Sequence, residues 1–303
     1  MTTARDETPS EPLADLAPGH PLWARSAAVV RRWSAYWCFL LAFVLVVVPN
    51  WPGRINNDTV GMLQQIDRRR ISNWHSPVLQ YLYVPVRELG GGIAPAFVVT
   101  FTVAFAGMLL VFENFGLSRL KCALLALGTC LFPVTYGLLA SVTRDAWFLA
   151  LWLLALGLAR THRITGARRC AVLFAVLFFA YAARQNAIAI APILFGAALW
   201  DVQRARGRAW LRWGAACALT AMLLVVMTVV LAVLPIRKQH PGAVVYLFDL
   251  IRLSVRAEEL LIPPELNPNG LTVEFLDENT EPWTLDQIVY HRDRMPVQLD
   301  SER

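Results

Sequence analysis

The chain has 303 residues, of which 56% are hydrophobic and 17% are charged, and its mean hydropathy is +0.46. An ordinary water-soluble domain does not carry so much apolar side chain, so the composition excludes that class and predicts a multi-pass membrane protein. The formal charge is +6; basic residues alternate with the apolar runs of 1–235, and acidic residues concentrate in 236–303. This pattern is typical of loops beside anionic lipid, so we expect a lipid bilayer, and no nucleic acid, as a partner.

The chain order of polar and apolar segments predicts an all-α fold. Residues 1–32 are polar and rich in proline, which predicts a disordered cytoplasmic tail. Residues 33–235 predict about seven transmembrane helices, since a span needs about 20 apolar residues to cross about 30 Å of hydrocarbon. The fourth, fifth and sixth predicted spans are short and need flanking residues or a thinner bilayer. The seven are Trp33–Val48, Ala94–Phe112, Leu120–Ala140, Ala146–Ala159, Cys170–Ala183, Ala187–Trp200 and Trp213–Leu234.

Two arginine clusters decide the sidedness of these spans. Four Arg lie in 160–169 and four in 201–212. The break Arg184–Asn186 divides the apolar stretch between them into two crossings, which puts both clusters on one side, as the positive-inside rule requires. We therefore expect a plasma (inner) membrane protein with a cytoplasmic N-terminus. The first loop, 49–93, and the tail, 236–303, are then extracytoplasmic.

The first external loop is unusually long, and long ordered loops are more often functional than connective. The turn at Asn56 predicts a short helix with Asp58 near its N-cap, and a plain capping role for Asp58 stays open. An apolar stripe of this helix is expected to lie along the membrane surface. Downstream, His75 begins a second segment whose apolar residues are expected in the interface, although a lone loop histidine is also an ordinary polar residue. The two sets of apolar residues are Met62, Leu63 and Ile66, and Leu79, Leu82 and Tyr83.

Two further charged positions fall on the same predicted face. Arg144 and Asp145 stand where one span begins, and Arg184 stands at the break between two others. Arginine at such positions is often only a membrane anchor. Asp145 is expected either to orient Arg144 through an ion pair or to cap the helix that follows. The convergence of one carboxylate, one imidazole and two guanidinium groups on one face favours a functional site.

The order of these features resembles the bacterial GT-C glycosyltransferases over about residues 33–255. The features are a long external loop with an early Asp, a downstream His-Ser-Pro, a later Arg-Asp that opens a span, and an Arg-x-Asn break. The resemblance implies a multi-pass enzyme that transfers sugar from a polyprenyl-phosphate donor to an extracytoplasmic glycan, lipid or protein of the cell envelope. The chain ends at Arg303 without the further spans of many relatives, which leaves open whether it is truncated.

The resemblance implies a role for each candidate residue. Asp58 would be the general base that takes the proton of the acceptor hydroxyl, and His75, Arg144 and Arg184 would surround the donor phosphate. The possible supporting residues are Asn57, Asp145 and Asn186. Asn57 stands where some relatives carry a second acid, so a two-carboxylate metal site is not predicted. No cofactor is assigned, and a divalent metal stays open.

Three other functions compete with this interpretation. A lipid or polysaccharide transporter or flippase would need ionisable residues in mid-span, and the predicted spans are almost free of them. A non-catalytic membrane assembly subunit would use Asp58 only as a helix cap. A membrane acyltransferase would use His75, but no intramembrane histidine marks a route for the acyl donor.

Overall fold

The computed structural model describes residues 22–73, 75–90, 92–161, 164, 166–200, 209–236, 241–263 and 272–279, and these are mostly helical without a β-strand. Two short 3-10 helices, Val48–Asn50 and Gln185–Ala189, interrupt the α-helices. The α-helices are α1 Leu22–Val46, α2 Asn57–Asp67, α3 Pro77–Glu88, α4 Ala94–Glu113, α5 Arg119–Leu131, α6 Pro133–Leu139, α7 Arg144–Arg160, α8 Gly166–Ala183, α9 Ala191–Ala198, α10 Ala209–Val233, α11 Pro241–Ala257 and α12 Val273–Asn279.

The apolar helices confirm a multi-pass membrane protein. Four stretches of the described chain are long and apolar enough to cross a bilayer, and the pair α5 and α6 adds a fifth if the two helices, bent by 79°, form one span. Seven spans were predicted, so by length the described residues give two or three fewer. The four stretches are Trp33–Asn50, Ala94–Glu113, Gly166–Ala183 and Ala209–Val233.

Proline explains why Leu120–Ala140 is two helices where one span was predicted. Pro133 has no backbone N–H and disfavours the helical conformation of the residue before it. Phe132 accordingly has extended angles, φ −64° and ψ 130°, and α6 begins at Pro133. The helix therefore changes direction here.

The predicted sixth span, Ala187–Trp200, is also not one continuous α-helix. Arg184 is extended, with φ −144° and ψ 120°, and ends α8. The 3-10 helix follows, and α9 has only 8 residues, or about 12 Å at 1.5 Å per residue. The predicted break is confirmed, and it occupies part of the length that a span would need.

The first helix begins earlier than predicted. Its backbone is helical from Leu22, because 22–32 contains no proline or glycine and includes the apolar run Ala27–Val30. The rest of the predicted disordered tail, 1–21, lies outside the described residues. Within the predicted tail the structure describes the helix α11, whereas most of the chain after 263 is outside the described residues.

The chain divides into two compact units. Unit 1 comprises 1–61 and 82–230, and unit 2 comprises 62–81 and 231–303. Part of the first loop is thus grouped with the tail rather than with the membrane helices. In unit 2 the Gln80 Nε2 atom donates to the Ser72 carbonyl at 3.1 Å, and the Tyr81 hydroxyl donates to the Pro235 carbonyl at 2.9 Å.

In unit 1, α4 and α7 run in the same direction and α8 runs in the opposite one. Asn114 at the end of α4 donates to the Gly157 carbonyl near the end of α7 at 2.9 Å, so these two helices run parallel. Helix α8 returns, because Arg184 at its end pairs with Asp145 and Arg169 near its start donates to the Thr161 carbonyl at 3.3 Å. Arg169 was predicted in a loop, but it is buried in the first turn of α8.

An apolar cluster packs together the ends of four helices, at the opposite end of unit 1 from Asp58. It joins the last turns of α7 and α9 to α8 and α10, through residues that include Leu158, Leu173, Ala198 and Ala216. We call the end that holds Asp58, Arg144 and Arg184 the Asp58 end, and the opposite one, where α9 ends and α10 begins, the Trp200 end.

Candidate functional site

The first loop is attached to the segment before α7 by backbone hydrogen bonds. The Arg54 amide donates to the Ala140 carbonyl at 2.9 Å, and the Val142 amide donates to the Arg54 carbonyl at 2.8 Å, which forms an isolated parallel bridge. Gly53 precedes it with φ +108°, and a Cβ there would lie 2.6 Å from Val142 Cγ2. Glycine is therefore required for this close approach.

Asn56 caps the helix that carries Asp58. The Thr59 amide donates to Asn56 Oδ1 at 2.9 Å, the N-cap to N3 contact of a helix start. The buried Thr59 hydroxyl lies 2.8 Å from the same Oδ1 and 2.7 Å from the Val142 carbonyl, and its single proton can serve one of them at a time. The alternative in which Asp58 caps α2 is therefore wrong, and the carboxylate is available for other contacts.

Loss of this cap is the first testable consequence. Asn56→Ala is expected to lower the free energy of unfolding by about 1 kcal/mol, because the Thr59 amide loses its acceptor. Thermal melting of the purified protein in detergent measures the change. Asn186→Ala, an exposed asparagine of the 3-10 helix, is the matched control, and an equal fall in melting temperature for both variants would contradict the capping role.

Two ion pairs join three helix ends at the Asp58 end. Arg144 Nη2 lies 3.0 Å from Asp58 Oδ2, and the Nε and Nη2 atoms of Arg184 both contact Asp145 Oδ1. Each of the four side chains is about two-fifths exposed. The four formal charges cancel, and the group is accessible to a ligand.

Asp145 pairs with a different arginine from the one expected. Neighbouring residues of a helix point in different directions, so Asp145 cannot face Arg144. The helix cap is also elsewhere, since Thr143 Oγ1 accepts from the Ala146 amide at 3.2 Å. Both predicted roles of Asp145 are therefore wrong, and its partner is Arg184.

The helix starts favour carboxylates at these positions. Asp58 is in the first turn of α2 and Asp145 in the first turn of α7, where unpaired amides give a helix its positive end. Ion pairs this exposed contribute only about 0–1 kcal/mol to stability. A competing anion can therefore displace either carboxylate from its arginine at low cost.

A partly buried hydrogen bond connects α3 to α7 one turn beyond Arg144. Trp147 Nε1 donates to the Tyr83 hydroxyl at 3.0 Å. Burial raises the pKa of Tyr83 to about 12, and the Trp147 hydrogen bond lowers it by less. Tyr83 consequently keeps its proton at physiological pH and serves as a fixed contact. The predicted place of Leu79 and Tyr83 in the membrane interface is wrong, because both are buried; Leu82 is half exposed.

The structure thus brings together four of the seven predicted site residues: Asp58, Arg144, Asp145 and Arg184. His75 is buried and belongs to unit 2, whereas the four charged residues belong to unit 1. Asn186 is exposed in the 3-10 helix. Asn57 begins α2, but its side chain lies outside the described residues.

Sequence reasoning did not predict the contacts made by Asn56, Thr59, Tyr83 and Trp147. The spacing Asn56-x-x-Thr59 at a predicted helix start was a usable signal for the cap. No pattern in the sequence indicated the contact between Tyr83 and Trp147, which joins residues of two distant helices.

No group of three or more His, Cys, Asp or Glu suited to a metal ion occurs within the described part of the chain. Comparison of the sequence and structure with models of protein families, with curated proteins and with solved structures gives no match.

Proposed function

We propose that the protein is a glycosyltransferase that moves a sugar from a polyprenyl-phosphate donor to an extracytoplasmic acceptor. The observation that carries the proposal is the contact between the Asp58 carboxylate and Arg144, with the Arg184 guanidinium beside it on Asp145. A base and two phosphate-binding groups thereby stand together on three helix ends. The resemblance of the sequence to GT-C enzymes supports the choice of donor.

The reaction needs both kinds of group. The acceptor hydroxyl attacks the anomeric carbon, the bond from that carbon to the phosphate oxygen breaks, and Asp58 takes the hydroxyl proton. The departing polyprenyl phosphate gains negative charge, which Arg144 and Arg184 stabilise. A guanidinium has five N–H donors, so Arg144 can bind phosphate with some of them while it orients Asp58 with another.

The orientation of the chain is part of the proposal. The Asp58 end is extracytoplasmic, and the N-terminus is cytoplasmic in the plasma membrane. The arginines exposed at the Trp200 end, including Arg160 and Arg168, support this because positive loops stay inside. In this arrangement α5 with α6, α7, and the 3-10 helix with α9 each complete one crossing, which gives seven.

The test is sugar transfer from a radiolabelled polyprenyl-phosphate donor pool in membranes that contain or lack the protein. Transfer is expected only with the protein. Arg144→Gln and Arg184→Gln are each expected to reduce it by about 10- to 1000-fold, since each removes one positive charge that stabilises the leaving phosphate. Arg160→Gln, an exposed arginine at the Trp200 end, is the matched control and should keep full transfer.

Other results would favour other functions. Transfer that is unchanged in both arginine variants would remove these residues from the reaction. No transfer by the wild type, with protein present in the membrane in normal amount, would contradict the proposal and favour the transporter or the assembly subunit.

A further inference from the structure

The Trp200 end of unit 1 holds charged and aromatic groups that the proposed sugar transfer does not use. Its charge is strongly positive, because the basic side chains described there outnumber the acidic one. They are Arg119, Lys121, Arg160, Arg168, Arg169 and Arg212, against Glu113. One of these basic groups lies against two aromatic rings.

That group is Arg212, in the first turn of α10. Its Cζ atom lies 4.1 Å from the centroid of the Trp200 ring and 5.4 Å from that of Trp213. The Trp213 ring packs closely against α9 at Gly196, where an added Cβ would lie 2.7 Å from the Cζ3 atom of the ring. This contact fixes the position of the ring. The two rings therefore hold the guanidinium in a defined position.

The hydrogen-bond donors of Arg212 lack a partner within the described residues. No described carboxylate pairs with it, and its buried Nε atom has no hydrogen-bond acceptor there. The N–H bonds of a guanidinium lie in its plane, whereas the cation–π contact uses its face. The rings consequently leave the edge of the group for an anion.

The rings also define where that anion lies. Trp200 is 48% exposed and Trp213 is 45% exposed, at the ends of two apolar helices of which α10 is long enough to cross a bilayer. Half-exposed tryptophan at the end of such a helix is typical of the level of the lipid headgroups. A guanidinium at this level, in a region of positive charge, is complementary to a lipid phosphate.

We propose that Trp200, Arg212 and Trp213 form a binding site for the headgroup phosphate of an anionic phospholipid. The Nη atoms of Arg212 donate to the phosphate, and the two rings lie beside the upper part of the acyl chains. The site is at the opposite end of unit 1 from Asp58, so it is separate from the proposed transfer reaction.

The test measures retention of phosphatidylglycerol and phosphatidylcholine by the full chain in detergent, by native mass spectrometry at increasing lipid concentration. Wild type is expected to bind phosphatidylglycerol in preference, and Arg212→Gln is expected to weaken that binding by about five- to tenfold. Arg160→Gln, which removes an equal charge from an exposed arginine at the same end, should bind as wild type does. Thermal melting confirms that each variant is folded.

Should Arg212→Gln lower the melting temperature, Trp200→Leu replaces it, because that change keeps the charge and removes the ring, with the same expected loss. Equal losses in the Arg160 and Arg212 variants would overturn the proposal in favour of diffuse positive charge. Equal binding of both lipids, or competition by inorganic phosphate at the concentration at which phosphatidylglycerol binds, would overturn the lipid assignment.

Discussion

Asp58→Asn is expected to reduce sugar transfer by about 10²- to 10⁴-fold, the usual contribution of a general base. The amide keeps the size of the side chain and can still contact Arg144, but it cannot take a proton from the acceptor hydroxyl. Transfer from the radiolabelled donor, at equal amounts of membrane protein, measures the loss. Asp67→Asn, at the other end of α2, is the matched control and should retain activity.

A charge exchange separates catalysis from attachment. If Asp58 only ties the first loop to α7, the double variant Asp58→Arg, Arg144→Asp restores the ion pair and should restore function. If Asp58 is the base, the double variant stays inactive although its melting temperature recovers. Full transfer by Asp58→Asn, or its recovery in the exchange, would contradict the catalytic role.

Gly157→Ala is expected to destabilise the protein strongly, because the added Cβ would lie 2.5 Å from Leu110 Cβ and 3.2 Å from the Gly107 carbonyl oxygen. Helices α4 and α7 are in close contact here, and the opposing Gly107 is equally confined, with the Leu154 amide nitrogen 2.5 Å from its would-be Cβ. Overpacking of this kind costs about 1–3 kcal/mol, and more where backbone is struck. The melting temperature and the yield of monodisperse protein in detergent measure the loss.

The control for this prediction is Gly128→Ala in α5. A Cβ at Gly128 has no neighbour within 4 Å, so the change should leave stability unchanged or raise it by about 0.5–1 kcal/mol through better helix propensity. A fall in melting temperature as large in Gly128→Ala as in Gly157→Ala would show that helix packing is not the cause.

The sequence predicted the elements that depend on local chemistry. Apolar runs gave the membrane helices, and the break at Arg184 was read correctly from its polar residues. The bend at Pro133 could have been predicted, because proline disfavours a helical conformation of the residue before it. One span was predicted instead, because the run Leu120–Ala140 is apolar throughout. A hydropathy profile shows how long and how apolar a segment is, but it does not show where the helix axis bends.

Local sequence patterns could not predict which residues form ion pairs within the site. Asp145 and Arg184 are brought together because α7 and α8 are antiparallel, and Asp58 reaches Arg144 because the first loop is bonded to the segment before α7. A single sequence places all four residues on one face but does not say which carboxylate meets which arginine. That choice depends on tertiary packing.

The parallel bridge between Arg54 and Ser141 also sets the order in which the site can assemble during synthesis. Its two strands of backbone are separated by α2 to α6, and at about 5–20 residues per second the ribosome needs on the order of 10 s to make the intervening chain. For that interval neither Ser141 nor Arg144 has been made, so the bridge and the Asp58–Arg144 ion pair cannot form. Asp58 therefore meets Arg144 only after α5 and α6 have been synthesised, so a chain that stalls before Arg144 carries the proposed base without the arginines that complete its site.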